Sequence, residues 1–335
     1  MLPVGFIIVS HDKPAQLSRL CWRLHSMFDS APVVCHHDFS QTPLVGNQFP
    51  PTVKFVQPHI PTRWAGFSVV RAFLVALGLM YDSANPPEWF VLLSGACYPT
   101  RPARDLVDEF SESRYDAYID HRPVIAEEDP SARISDPFVF GRPEYVPVAY
   151  DRYLATTFRV PALNRRLRPT VRSITLRSPA FTSIFHPYSK TFSCFGGDHW
   201  FMARHTAAHA LLRDTPQRRK LIKHLSHREH ADETFYQTML CNDPNLKICK
   251  ENRRYAEWLR WTSHPKVLGV EDLKKIIASR AFFARKLDLN TCPDLFRKLD
   301  AITESSARLP GQPEKHALSI TKQKKTWPAR GELSS

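Results

Sequence analysis

The sequence predicts an α/β chain built on a doubly wound, Rossmann-like mixed sheet, and three observations carry that expectation. Val4–Ser10 is an unbroken apolar run rich in β-branched residues, the pattern of a strand covered on both faces. Pro14 then suits a first helical turn, and Leu17, Leu20, Leu24 and Phe28 recur at helical spacing. Short apolar runs at 32–37 and 53–57 follow, so the chain opens strand, helix, strand, strand.

The remaining elements follow in order. Residues 64–81 read as a helix with a wide apolar face, and 89–93 as a strand ended by the turn Ser94-Gly95-Ala96-Cys97-Tyr98-Pro99. A helix is expected at 104–110 and a strand at 115–120. From about 122 to 190 the pattern breaks down into Pro- and Arg-rich sequence, including Arg165, Arg166, Arg168, Arg172 and Arg177, and reads as an irregular insertion. A helix is expected at 200–213 and a basic connector through Arg218, Arg219, Lys220, Lys223 and Arg228. Helix at 234–241, strand at 246–249 and helix at 270–279 complete the pattern. One domain over 1–302 is expected, and the polar, lysine-rich 303–335 reads as a disordered tail.

The 335 residues are 43% apolar, ample for a packed core, and the net charge of +13 favours acidic partners such as phosphates. No apolar run approaches the roughly 18–20 residues of a membrane span. The N-terminus reads as a buried strand rather than a signal peptide, and seven cysteines without regular spacing suggest reduced thiols, so a cytoplasmic protein is expected. The basic residues lack interleaved aromatics for base stacking, so no specific nucleic acid is expected. The charge does suit peripheral contact with an anionic membrane.

Chemistry concentrates in 191–239. Gly196-Gly197 forms a turn that would let backbone approach a ligand, and Asp232-Glu233 opens a short helix whose dipole favours ionised carboxylates. Glu233 is a candidate base for an attacking hydroxyl, although acids at helix starts are common in any case. Arg285 and Lys286, directly after Phe-Phe-Ala, could hold and stabilise a diphosphate. His36-His37-Asp38 with His11 fits a metal site or a nucleoside pocket. Adjacent strand residues face opposite ways, which favours Asp38 accepting hydrogen bonds from a base or ribose. His224, His227 and His230 have a spacing that would share a helix face, but no further ligand is evident. No Asp-x-Asp occurs, and Glu127-Glu128-Asp129 is the nearest acidic cluster, so no metal cofactor is expected.

Taken together, SHDKPAQLSRL, HHDFSQ, WAGFSVVRA, FVLLSGACYPTRP, FSCFGGDHWFMAR, ADETFYQT, RRYAEW with SHP, and VEDL with FFARKLD resemble the core-2/I-branching β-1,6-N-acetylglucosaminyltransferases and related peptide O-xylosyltransferases, over roughly 4–288. The resemblance implies a GT-A-like fold and inverting, metal-independent transfer from a UDP-sugar to a glycan, peptide or lipid-linked acceptor. UDP-N-acetylglucosamine is the first choice of donor and UDP-xylose the second. It implies that Glu233 is the base and that Lys286 holds the diphosphate, with Lys266, His264 or Arg285 as second cation. It places His11 and Asp38 at the uridine pocket, and Trp258, or alternatively Trp261, beside the acceptor sugar. Where relatives often carry an acid after the Ser-Gly turn, this chain has Ala96-Cys97.

Overall fold

A computed structural model describes residues 3–46, 48–124, 186–228, 230–259 and 264–304, and the backbone alone at 156–163 and 169–176. The N-terminal pattern forms as the periodicity predicts: β1 (Val4–Ser10), α1 (Pro14–Met27), β2 (Val33–His37), β3 (Val53–Phe55), α2 (Phe67–Tyr81) and β4 (Trp89–Ser94). These strands are parallel in the order β3-β2-β1-β4, with Ile8 opposite both Cys35 and Leu93. Order reverses at β1, so a crevice opens outside the carboxyl ends of β1 and β4.

Alternation along the strands feeds two cores. Ile7, Val34, Phe90 and Leu92 pack under α2 on one face. Phe6, Ile8, Val33, Trp89 and Val91 pack with α1 and, from the far end of the chain, α8 (Pro293–Glu304) on the other. Arg23 and Arg19 pair with Asp300, at 3.3 and 2.6 Å, and tie α8 to α1.

The sheet continues through β6 (Ala117–Tyr118), β11 (Met202–Arg204) and β12 (Ile248–Cys249), giving the order β12-β6-β11-β4-β1-β2-β3. Only β11 is antiparallel to its neighbours, which makes the sheet mixed. A small second sheet joins β13 (Arg254–Tyr255), β14 (Phe283–Ala284) and β5 (Tyr98–Pro99). Among the described residues no helix is long and apolar enough to cross a membrane.

Three expectations change. The helix expected at 200–213 starts only at His205 (α4, His205–Leu212), because Met202–Arg204 slots between β4 and β6; a run apolar on every side fits a buried strand as well as a helix. The basic connector is a helix, α5 (Pro216–Leu225), capped by Thr215, whose side chain accepts from Arg218 N. The insertion read as irregular contains an eight-residue antiparallel hairpin, β8 (Thr156–Leu163) with β9 (Pro169–Leu176). The arginine side chains of that stretch, Glu127 to Asp129, Trp261 and the tail from 305 lie outside the described residues.

Candidate active site

Strand direction decides what shares one edge of the sheet. The carboxyl ends of β1, β2, β4, β6 and β12 lie together, and antiparallel β11 brings its amino end to the same edge. That edge therefore gathers His11, Asp38, the turn 95–97, Asp120, Asp198-His199-Trp200 and Asn252.

The acidic turn is a single 3₁₀ turn, Ala231–Glu233, followed by α6 (Phe235–Cys241) rather than the first turn of one helix. His230 enters it at φ 58 and donates its backbone N–H to Ala65 O at 2.6 Å. Glu233 O accepts from Gly197 N at 2.8 Å, and Glu233 Oε1 lies 3.5 Å from His230 Nδ1. Asp232 points the other way, with Oδ2 3.5 Å from Nδ1 of the buried His199. Burial, and then the Glu233 charge, raise the Asp232 carboxyl above the usual range. Burial likewise pushes Asp198 up to about 6, against the pull of Arg285 and Arg254, while Asn252 donates to its Oδ2 at 2.9 Å.

Within electrostatic reach of this turn, directly after β14 (Phe283–Ala284), comes the cationic strand end Arg285-Lys286. Arg285 N donates to Tyr255 O, and the Arg285 guanidinium stacks 4.9 Å from the Trp200 ring. Burial, then Arg285 and Lys13, lower the Lys286 ammonium, so three cations share one neighbourhood. Lys13 belongs to it through a 2.7 Å pair with Asp288. Of the candidate second cations, Lys266 is held by both oxygens of Asp272, at 2.7 and 2.9 Å, and so is occupied inside the protein. Burial, Lys286 and Arg285 all disfavour the charged form of His264. Arg285 is left as the cation beside Lys286.

Asp38 and Gly197 are both tied into the protein. Asp38 is fully buried and already accepts from Ser40 N and Oγ, Gln41 Nε2, and Thr62 N and Oγ1. Five donors engage its two oxygens, so Asp38 holds the 40–62 loop. Burial would raise it, but these bonds win and hold it well below the usual carboxylate range. Gly197 packs tightly against backbone: a Cβ there would sit 1.9 Å from Asp120 O. His11 is exposed at the end of β1, at the crevice. The proposed histidine triplet is not on one helix face, because α5 ends at Leu225 and His230 is left-handed. Trp258 is half exposed, beyond β13.

Sequence reasoning missed several residues. Trp64 exposes 61% of its surface and sets its ring edge-on to His230, at 5.3 Å, and to His264, at 5.5 Å, so it spans from the acidic turn to the cationic strand. An unburied tryptophan is the signal that could have found it. Buried Gln16 donates to Gly95 O and Leu287 O and accepts from Leu289 N, fixing the cationic strand against the β4 turn. Arg254, drawn to lower basicity by burial, donates to Leu92 O and stacks against Phe283.

Comparison with known proteins agrees with this architecture. The sequence profile of the Core-2/I-Branching enzyme family matches residues 36–137 and 155–277. No curated protein matches the chain. Mouse xyloside xylosyltransferase 1, in its apo form, is 11% identical, with 86% of this chain and 99% of that chain covered at a TM-score of 0.37. A Bacillus anthracis protein described as a glucose-1-phosphate thymidylyltransferase, bound to a sucrose, is 11% identical, covering 65% and 78% at a TM-score of 0.31. With more than half of its length matched by one profile, the chain belongs to the Core-2/I-Branching enzyme family of glycosyltransferases.

Proposed function

We propose that the protein transfers a sugar, N-acetylglucosamine before xylose, from a UDP-sugar to an acceptor hydroxyl with inversion and without a metal ion. Glu233 takes the hydroxyl proton as the acceptor oxygen attacks the anomeric carbon. The bond from that carbon to the diphosphate oxygen breaks, and Arg285 and Lys286 stabilise the charge that leaves with UDP. Glu233 then returns its proton to solvent. Trp258, half exposed, would stand beside the acceptor sugar, and the exposed Trp64 lies between His230 and His264.

The observation that supports this reading best is the proximity of the acidic turn and the cationic strand. His199 feels both Arg285 and Glu233, and Trp64 reaches from His230 to His264. A base and two cations near one another are what in-line displacement of a diphosphate requires. The absence of an Asp-x-Asp sequence and the presence of Arg285-Lys286 favour neutralisation of the diphosphate by side chains.

The test is UDP release from a panel of UDP-sugars with a mixed glycan and peptide acceptor pool, with and without EDTA, for wild type and Glu233→Gln. Turnover that survives EDTA and falls at least about 100-fold in the variant is expected, as for loss of a general base. EDTA-sensitive turnover would overturn the metal-independent reading, and a fully active Glu233→Gln protein would remove Glu233 as the base.

A further inference from the structure

The two acids of the 3₁₀ turn stand in different surroundings. Glu233 lies at the rim with 28% of its side chain exposed, against His230. Asp232 turns inward, where Oδ1 meets no hydrogen-bond partner among the described residues. The groups around it are polar. His199 is 4% exposed and its ring is engaged with the Asp232 backbone, while the Tyr236 hydroxyl meets no hydrogen-bond partner among the described residues. The His199 ring is clamped edge-on by Trp200, at 4.3 Å, and Tyr236, at 5.3 Å, with its Nδ1 3.5 Å from Asp232 Oδ2.

We propose that Asp232 is a proton-bearing positioning residue: its carboxylic acid donates to His199 Nδ1 and leaves Glu233 as the ionised acid of the turn. This rests on the reading of Glu233 as the base. A buried carboxylate beside a second one ionises less readily than its rim-exposed neighbour, so Asp232 is the one placed to carry a proton. The charges facing Asp232 are Glu233 and His230 on its own turn and Asp198 on the loop before β11, with the Tyr236 hydroxyl on α6. Two of these are acids, and both favour the protonated form. The charges facing His199 include Arg285 and Arg254, which oppose an imidazolium. A neutral imidazole can accept at Nδ1, and a protonated carboxyl can donate to it. Their separation of 3.5 Å is at the outer limit of a hydrogen bond, so a small closure of the turn completes it. The assignment also decides which acid works. An acid that keeps its proton cannot be a base, so the rim position falls to Glu233.

The test is the pH dependence of kcat/KM for wild type, Glu233→Gln, Asp232→Asn, His199→Leu and His199→Asn, with thermal melts to show that each is folded. Asp232→Asn imitates the protonated acid. It should lose under about tenfold where Glu233→Gln loses at least about 100-fold, and its acid limb should stay at the wild-type position. His199→Leu removes the acceptor, so Asp232 sheds its proton more readily and the acid limb governed by Glu233 should move up. His199→Asn supplies a carbonyl acceptor and should restore it, and in an Asp232→Asn background His199→Leu should leave the limb in place. A folded Asp232→Asn protein as inactive as Glu233→Gln, or one whose acid limb drops by about one unit or more, would overturn the proposal, because Asp232 would then be ionised in the working enzyme. An active Glu233→Gln protein would instead sink the base assignment on which the proposal stands.

Discussion

Gly197→Ala should damage both stability and turnover through a single contact. The added Cβ would lie 1.9 Å from Asp120 O, 2.6 Å from Asp120 C and 3.1 Å from His121 Cα. All three are backbone atoms, so no side chain can swing aside, and the two segments must part by about 1.5 Å to restore van der Waals separation. Overpacking of this kind costs about 1–3 kcal/mol. The parting also stretches the 2.8 Å bond from Gly197 N to Glu233 O, worth about 1 kcal/mol more. A loss of about 2–4 kcal/mol lowers Tm by about 3–6 °C in a chain of this size. Because the broken bond holds the acidic turn, a displacement near 1 Å should also cut kcat/KM by about 100-fold. Gly78→Ala is the control, since a Cβ at that mid-helix position of α2 meets nothing within 4 Å and should raise stability by about 0.5–1 kcal/mol. Calorimetry and UDP release measured on both variants check the pair. A Gly197→Ala protein that melts within about 2 °C of wild type and keeps its activity would refute the argument that the glycine is there for Asp120.

Asp38→Asn should cost about 2–3 kcal/mol at pH 7, since an amide cannot accept from all five donors. The folded carboxyl titrates below its unfolded value, so its stabilisation is present above about pH 4 and lost as pH falls. Urea midpoints of wild type and variant should therefore converge between pH 7 and pH 3, and a constant gap would contradict the assignment. Lys286→Ala should weaken UDP binding about 10–100-fold, the size of one lost charge-assisted bond. Because Arg285 and Lys13 make Lys286 less basic, wild-type UDP affinity should decline at a pH below that of an ordinary lysine; calorimetric titration against pH reads both effects. Trp64→Ala should raise the KM of donor or acceptor about 3–10-fold with Tm hardly altered, because the ring is exposed and its loss leaves no cavity. A lowered Tm with normal KM would reassign it to packing.

How far the sequence was legible follows from the range of the forces involved. The parallel core was readable because β1 and α1 obey their own periods, and the reversal of order at β1 places the crevice without further information. The strand at 202–204 was not, since its neighbours come from residues more than eighty positions upstream and its apolar run suits either period. Glu233, Arg285 and Lys286 were singled out by residue type, and the fold brings Glu233 and Arg285 within electrostatic reach of the same His199. Asp38 and Gly197 stand out by residue type, but their surroundings could not be read from the sequence. A buried acid's donors and the backbone opposite a glycine are both tertiary facts. Gln16 and His199 left no local signal at all, because their partners lie 271 and 33 positions away in the chain.

The balance of charge at the edge argues that its natural occupant is an anion placed to one side. Asp120, Asp198, Asp232 and Glu233 cluster where β6, the loop before β11 and the 3₁₀ turn meet, and burial raises the first three toward neutrality. Lys13, Arg285 and Lys286 cluster where α1 meets β14, and the Lys286 charge is itself disfavoured by its neighbours. Like charges held together on each side are a cost to the folded state. A diphosphate beside the cations would relieve one half of it, while leaving the acids at the distance where an incoming hydroxyl needs a proton acceptor. A ligand bearing its negative charge at one end and a neutral sugar at the other satisfies both halves, and a symmetric anion does not. Inorganic pyrophosphate should therefore compete with UDP but gain nothing from Trp64 or from the acidic turn. Its affinity should be insensitive to Trp64→Ala, whereas that of a UDP-sugar should fall. Equal losses for both ligands would mean that the tryptophan shapes the cation site rather than receiving a sugar.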